Sequence, residues 1–271
     1  MARIFERAFQ MRPTKRDMRT FSGLRKVVAT LRGPEGCPWD RVQTHQSLRP
    51  FLLEEASEVL EALDEGDPAQ LCEELGDLLL EVLLHVQIAE EAGEFRLEDV
   101  VYSVNDKLVR RHPHVFADAK AETPEAVVEQ WEKLKGEERQ GQSALTGIPG
   151  TLPSLAYAQA IQKRAHRAGF AWERVEQAWE ALEEELGELR AADTPEQRRE
   201  EVGDALFALA GLAGWLEVDA EGALRSTCRG FRTVFQRLEA TVKEEGRELR
   251  EMPTEEKLAL WQEVKEKPDH E

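Results

Sequence analysis

The sequence predicts an all-α protein, and three observations carry that expectation. The composition favours Ala, Leu, Glu, Arg and Gln, which are strong helix formers, and is poor in aromatic and β-branched runs. Apolar residues recur at spacings of three and four in nearly every segment. No stretch shows the alternation between turn residues that marks a strand or hairpin.

The elements follow in order along the chain. Residues 1–20 are mildly basic without an apolar stretch, so an N-terminal extension is expected, not a signal peptide. A helix over 22–32 rests on periodicity. The turn GCPWDRVQTHQSL leads into a helix over 46–65. Asp67-Pro68 sets a capping residue before a proline in the first turn and opens a helix over 68–92. That helix runs on as LLLEVLLHVQIA, apolar nearly all round, and is expected to be largely buried. A helix over 97–111 follows, then one over 124–139 that starts at Thr123-Pro124. From Gly136 to Pro153 glycine, proline and serine cluster, as in a linker. Beyond it, periodicity predicts helices over 154–168, 174–192, 195–217, 219–246 and 254–266, the third of them opened by Thr194-Pro195.

The two halves resemble each other. EELGDLLL at 73–80 is answered by EEVGDALF at 200–207, and LLEEASEVLEAL at 52–63 by ALEEELGELRAA at 181–192. Order and spacing match as well as composition, so the expected organisation is a duplicated helical module of roughly 115 residues. The expected domains are residues 21–139 and 154–271, joined by a linker over 140–153.

Charge narrows the function. With 54 acidic and 36 basic residues, the formal net charge is -18. That disfavours binding to nucleic acids or anionic membranes and suits a protein that gathers carboxylates around cations. Cys37, Cys72 and Cys228 are far apart and odd in number, so a reducing cytoplasm is expected. No apolar run is long enough to span a membrane.

The carboxylates carry the chemistry. Glu54, Glu55 and Glu58 form EExxE, and Glu74 with Asp77 forms ExxD, each on one helix face. Side by side, the two helices would gather Glu55, Glu58, Glu74 and Asp77. Such a cluster repels itself unless a cation neutralises it, and hard oxygen ligands suit Mg²⁺ or Mn²⁺. In a Glu-rich chain each string alone reads as a solvated face, since EExxE also occurs at 90–94 and 244–248. The apolar setting of the ExxD helix and the recurrence as Glu184, Glu185, Glu188, Glu201 and Asp204 favour a site. Gly76 and Gly203, each just before the Asp, suggest close helix approach.

Two further features surround it. Asn105, Lys107, Arg110 and Arg111 fall on one helix in the first half, where cations would grip a polyphosphate. Trp39, before the first carboxylate helix, and Trp172, before the second, offer aromatic faces to a nucleobase, although a Trp in a helical protein is more often core. His85, on the apolar helix, reads as a core residue. A di-iron bundle is set aside because Glu81 and His85 are four apart, not three.

Taken together these residues resemble the MazG family of nucleoside triphosphate pyrophosphohydrolases. CPWDxxQTH at 37–45, EExxE at 54–58, ExGD at 74–77, NDKLxRRHPHVF at 105–116 and KRAxxxGFxW at 163–172 carry the resemblance, which runs from about Phe21 to Val264. It implies tandem helical modules that form four-helix-type bundles on dimerisation, and hydrolysis of NTP to NMP and pyrophosphate with Mg²⁺. It makes Glu55, Glu58, Glu74 and Asp77 metal ligands, with Glu185, Glu188, Glu201 and Asp204 as the second set. Glu54 would hold the attacking water, and Lys107 and Arg111 would bind phosphate. The second copy departs from the pattern. Setting Glu98 against Glu221 puts Cys228 at the place of Asn105, Gly230 at that of Lys107, and Thr233 and Val234 at those of Arg110 and Arg111. The first copy is therefore expected to be the main site. The rival expectation is a non-catalytic, nucleotide-sensing or partner-binding helical dimer.

Overall fold

The computed structural model describes residues 14–137 and 141–266, and it is helical without a strand among them. The first part of the expected N-terminal extension and the last residues of the 124–139 helix lie outside the described residues. The chain divides between residues 138 and 139 into two compact units.

The first unit contains α1 (Phe21–Arg32), α2 (Pro38–Arg41), α3 (Arg49–Glu65), α4 (Pro68–Ala92), α5 (Leu97–Arg111), α6 (Pro113–Phe116) and α7 (Pro124–Glu137). The second contains α8 (Ser154–Arg167), α9 (Val175–Ala191), α10 (Pro195–Trp215), α11 (Ala220–Glu244) and α12 (Thr254–Glu266). Every helix expected from periodicity is present. The short α2 and α6 were not expected, because four residues are too few to show a period.

The caps behave as the sequence required. The Asp67 carboxylate accepts from the amides of Ala69 (2.8 Å) and Gln70, with Pro68 in the first turn of α4. Thr194 and Gln197 form a reciprocal capping box at the start of α10. Thr123 accepts from the Ala126 amide at the start of α7. Helices α3 and α4 end at Gly66 (φ 71°) and Gly93 (φ 72°), left-handed positions that only glycine takes without penalty.

In the first unit α3 and α4 pack as a helical hairpin, and α1 and α5 also pack against α4. Val28, Leu48, Leu83, Leu84, Val86 and Leu97 form the core. They come from the C-terminal half of α4 and the elements around it. In the second unit α9 and α10 make the corresponding hairpin, with α8 against α10.

One expectation is corrected here. The helix over 68–92 is not buried throughout. Its N-terminal half leaves Leu75 49 % exposed, Val82 just past its middle is 41 % exposed, and the facing α3 leaves Leu53 66 % exposed. A single unit has too few helices to cover that side. Close approach at Gly76 and Gly203 is corrected too: a methyl group added at either would meet open space.

Arg32 on α1 fixes the loop that carries Trp39. Its side chain is 6 % exposed and pairs with Glu91 of α4 at 2.8 Å. It also donates to the carbonyls of Asp40 and Gln43. Replacing Arg32 with Ala strands Glu91 and both carbonyls, so a loss of about 2–3 kcal/mol is expected. A urea midpoint that falls at unchanged m-value checks this, and an unchanged midpoint contradicts it.

Candidate metal centre

Two helical hairpins bring carboxylates together. On α3, Glu55 and Glu58 share a face, and the antiparallel α4 sets Glu74 against them. Oxygens of Glu55, Glu58 and Glu74 lie within 4.8 Å of one another. In the second unit, oxygens of Glu185 on α9 and of Glu201 and Asp204 on α10 likewise lie within 4.8 Å of one another. Asp77 and Glu188 are not in these trios, yet each acts on its neighbours. Asp77 raises the pKa of both Glu55 and Glu74, and Glu188 that of both Glu185 and Glu201.

The electrostatics follow from crowding. Glu55 is held above the usual carboxylate range by burial first, and then by Asp77, Glu58, Glu54 and Glu74. Glu74 is pushed up by burial, then by Glu58, Glu73 and Asp77, and is eased by a hydrogen bond from Gln70. The second unit repeats this at Glu185 and Glu201. Every charge that acts on these four groups is another carboxylate. A trio of oxygens at this spacing fits a small hard cation, whose octahedral ligands stand opposite each other at about 4.2 Å.

The basic residues lie on a different helix. Lys107, Arg110 and Arg111 lie on α5, which packs against α4 and α7. Arg110 meets Asp106 at 3.8 Å, and the Arg111 guanidinium stands 5.9 Å from the centre of the Trp131 ring. None of the three is among the charges acting on Glu55 or Glu74. Asn105 lines a shallow depression on α5 with Leu97, Val101 and Tyr102. Trp39 is 51 % exposed, edge-on to Phe51 at 5.6 Å, and Trp172 is 52 % exposed. Neither Trp is core, so both aromatic faces are open to a ligand. Glu54 is exposed beside Glu55.

The sequence reading missed a polar column beneath the first trio. Glu81, one turn beyond Asp77, is 6 % exposed and its Oε2 has no hydrogen-bond partner. His85, one turn further, stacks on His45 with Nδ1 to Nδ1 at 2.7 Å. A Glu inside LLLEVLLH was the available signal.

Crowded carboxylates make a testable link between metal and pH. A folded-state pKa raised above the unfolded value costs stability as pH rises through that interval. Binding a divalent cation removes the cost. Mg²⁺ or Mn²⁺ is expected to raise the melting temperature at about pH 7.5, where a hundredfold excess over Kd contributes about 2.7 kcal/mol. At about pH 5 protons compete for the same oxygens and the increment shrinks. Thermal melts with and without metal at both pH values decide it, and an equal increment at both contradicts it.

Comparison with known proteins supplies independent context. Residues 43–116 match the MazG nucleotide pyrophosphohydrolase domain. The chain is 43 % identical over 247 residues to a Thermotoga maritima protein named nucleoside triphosphate pyrophosphohydrolase/pyrophosphatase MazG, covering 90 % of this chain and 95 % of that one. It is 41 % identical over 257 residues to an Escherichia coli K12 nucleoside triphosphate pyrophosphohydrolase, covering 92 % and 98 %. It is 45 % identical over 252 residues to Bacillus subtilis YabN, covering 91 % of this chain and 52 % of that one. No helix among the described residues is long and apolar enough to cross a membrane.

Proposed function

The chain belongs to the MazG family of nucleoside triphosphate pyrophosphohydrolases, and from that premise we propose that it hydrolyses nucleoside triphosphates to the monophosphate and pyrophosphate, chiefly at the first unit. The single observation that carries this reading is the gathered trio of Glu55, Glu58 and Glu74, beside Asp77, in the unit that also keeps Asn105, Lys107, Arg110 and Arg111.

The residues divide the work by chemistry. Glu55, Glu58, Glu74 and Asp77 hold the cation. When bound there, Mg²⁺ or Mn²⁺ neutralises and polarises the triphosphate. Glu54 orients the attacking water. Lys107, Arg110 and Arg111 grip the phosphates as charge-assisted donors, and Asn105 lies among them. Trp39 offers its exposed face to the base, a stacking contact that accepts any nucleobase. In the second unit Glu185, Glu188, Glu201 and Asp204 bind metal without the matching cations, with Trp172 as the corresponding aromatic face.

The protein acts as a homodimer or higher homo-oligomer, its two halves being copies of one module. The apolar flank left open on α3 and α4 supports this, as do Val101 and Leu108 of α5, 43 % and 48 % exposed. Covering them in a four-helix-type bundle buries more than about 2,000 Å² in total. The free Cys37, Cys72 and Cys228 fit a reducing cytoplasm.

Incubation with a panel of NTPs and dNTPs plus Mg²⁺ tests the reading. Pyrophosphate and monophosphate in equal amounts are expected. Orthophosphate as the sole primary product overturns it.

A further inference from the structure

The polar column of the first unit is out of place in an apolar helix. Glu81 sits among Leu80, Leu83 and Leu84, the last two in the core, and its Oε2 is buried without a partner. One helical turn on, His85 Nε2 is also buried without a partner. The other nitrogen of that ring, Nδ1, lies 2.7 Å from Nδ1 of His45. His45 Nε2 faces Glu94 at 4.0 Å, and the side chain of His45 is 38 % exposed. The column thus runs from a buried carboxylate to the solvent edge.

The second unit shows what the fold uses when polarity is not needed. Setting Glu74 and Asp77 against Glu201 and Asp204 puts Ala208 at the place of Glu81 and Leu212 at that of His85. Setting Glu55 and Glu58 against Glu185 and Glu188 puts Val175 at the place of His45. Leu212 is core there, and Val175 and Ala208 pack against it. An unsatisfied buried polar group costs about 1–3 kcal/mol. The first unit retains two such atoms where an apolar solution to the same packing exists.

Two orphan atoms one turn apart, an acceptor and a ring nitrogen, mark the place of a bridging water, which would satisfy both. Glu81 lies one helical turn beyond Asp77 on the same helix, so the inner end of the column adjoins the candidate metal centre. We propose that Glu81, His85 and His45 form the path by which the proton of the hydrolytic water leaves the first site. This inference rests on the pyrophosphohydrolase reading.

The balance is simple. A bond forms from the water oxygen to the α-phosphorus, and the bond from that phosphorus to the α–β bridging oxygen breaks. The electron pair departs with pyrophosphate, and one proton must leave. Glu81 Oε2 holds the bridging water as an acceptor. The hydrolytic water gives its proton to the bridging water as that water gives one to His85 Nε2, the shared Nδ1 proton passes to His45, and His45 Nε2 releases its proton to solvent at Glu94. The remaining charged groups around the pair are engaged. On α1, Arg32 is held by Glu91 and by loop carbonyls. At the α5 end, Arg25 bridges Glu90 and Glu98. On α3, Glu55 is the charge that raises the pKa of Glu81, after burial. Burial, then His45, keeps His85 below its usual range, so the ring is neutral at rest and able to accept.

The test uses the full chain with three variants: His85→Leu, the residue of the second unit, His85→Ala and Glu81→Gln. The expected result is kcat at least tenfold lower at unchanged KM, with unchanged Mn²⁺ affinity by electron paramagnetic resonance. The deficit narrows as pH rises and hydroxide substitutes, the solvent deuterium isotope effect on kcat grows, and imidazole partly restores His85→Ala. In the metal-free parent, imidazole NMR shows one proton shared between the two Nδ1 atoms. Rings that share no Nδ1 proton overturn the inference. So does parental kcat and pH profile in all three variants, or loss of Mn²⁺ affinity together with activity. A parent that releases no pyrophosphate instead overturns the reading on which the inference rests.

Discussion

Asp77→Asn is expected to abolish most pyrophosphate release, and Asp204→Asn to leave most of it. Both residues stand in the same relation to a carboxylate hairpin. Asp77 acts on Glu55 and Glu74, and Asp204 on Glu185 and Glu201. Metal binding alone therefore does not separate the units. The difference lies on the next helix, where α5 keeps Asn105, Lys107, Arg110 and Arg111 and α11 has Cys228, Gly230, Thr233 and Val234. A charge-assisted contact to phosphate contributes roughly 1.5–3 kcal/mol. Losing two or three of them weakens transition-state binding by several kcal/mol, or more than about a hundredfold in rate. The polar column adds a second asymmetry in the same direction. Both variants are compared under saturating Mg²⁺, with the metal-dependent melt as a control for folding. If Asp204→Asn is the dead variant, the second unit is the enzyme, and Arg225, Arg229 or Arg232 on α11 has replaced the missing cations.

The fold was legible because it is written in local signals. Asp67-Pro68, Thr123-Pro124 and Thr194-Pro195 each name a helix start through a hydrogen bond that spans three residues, and all three bonds form. The carboxylate trios were legible for a similar reason. Residues three apart on one helix need only one packed neighbour to converge. What failed was whatever depends on a surface outside the unit. The apolar circumference of α4 suggested burial, yet Leu75 stays 49 % and Val82 41 % exposed. Gly76 suggested a close neighbour and has open space. The pairing of His45 with His85 is 40 residues long-range, and no spacing rule reaches across a loop of that kind.

Mixing two inactive proteins is expected to restore activity. Lys107 and Arg111 are not among the charges acting on Glu55 or Glu74, although phosphate chemistry needs both charges on one substrate. The exposed apolar residues on α4 and α5, including Leu75, Val82, Val101 and Leu108, are where a second copy would pack. An isologous dimer that closes over them offers each trio the cations of its partner. Asp77→Asn spoils the carboxylates and keeps the cations. A combined Lys107→Ala and Arg111→Ala variant does the reverse. Co-refolded in equal amounts, half of the dimers are mixed, and each mixed dimer holds one intact site of two, so about a quarter of parental activity is expected. A site built within one subunit would give no recovery, because neither chain then holds a complete set. Subunit exchange is checked by mass, and the mixture is assayed before and after it. Activity that stays at the level of the separate variants after full exchange shows that cations and carboxylates belong to the same chain.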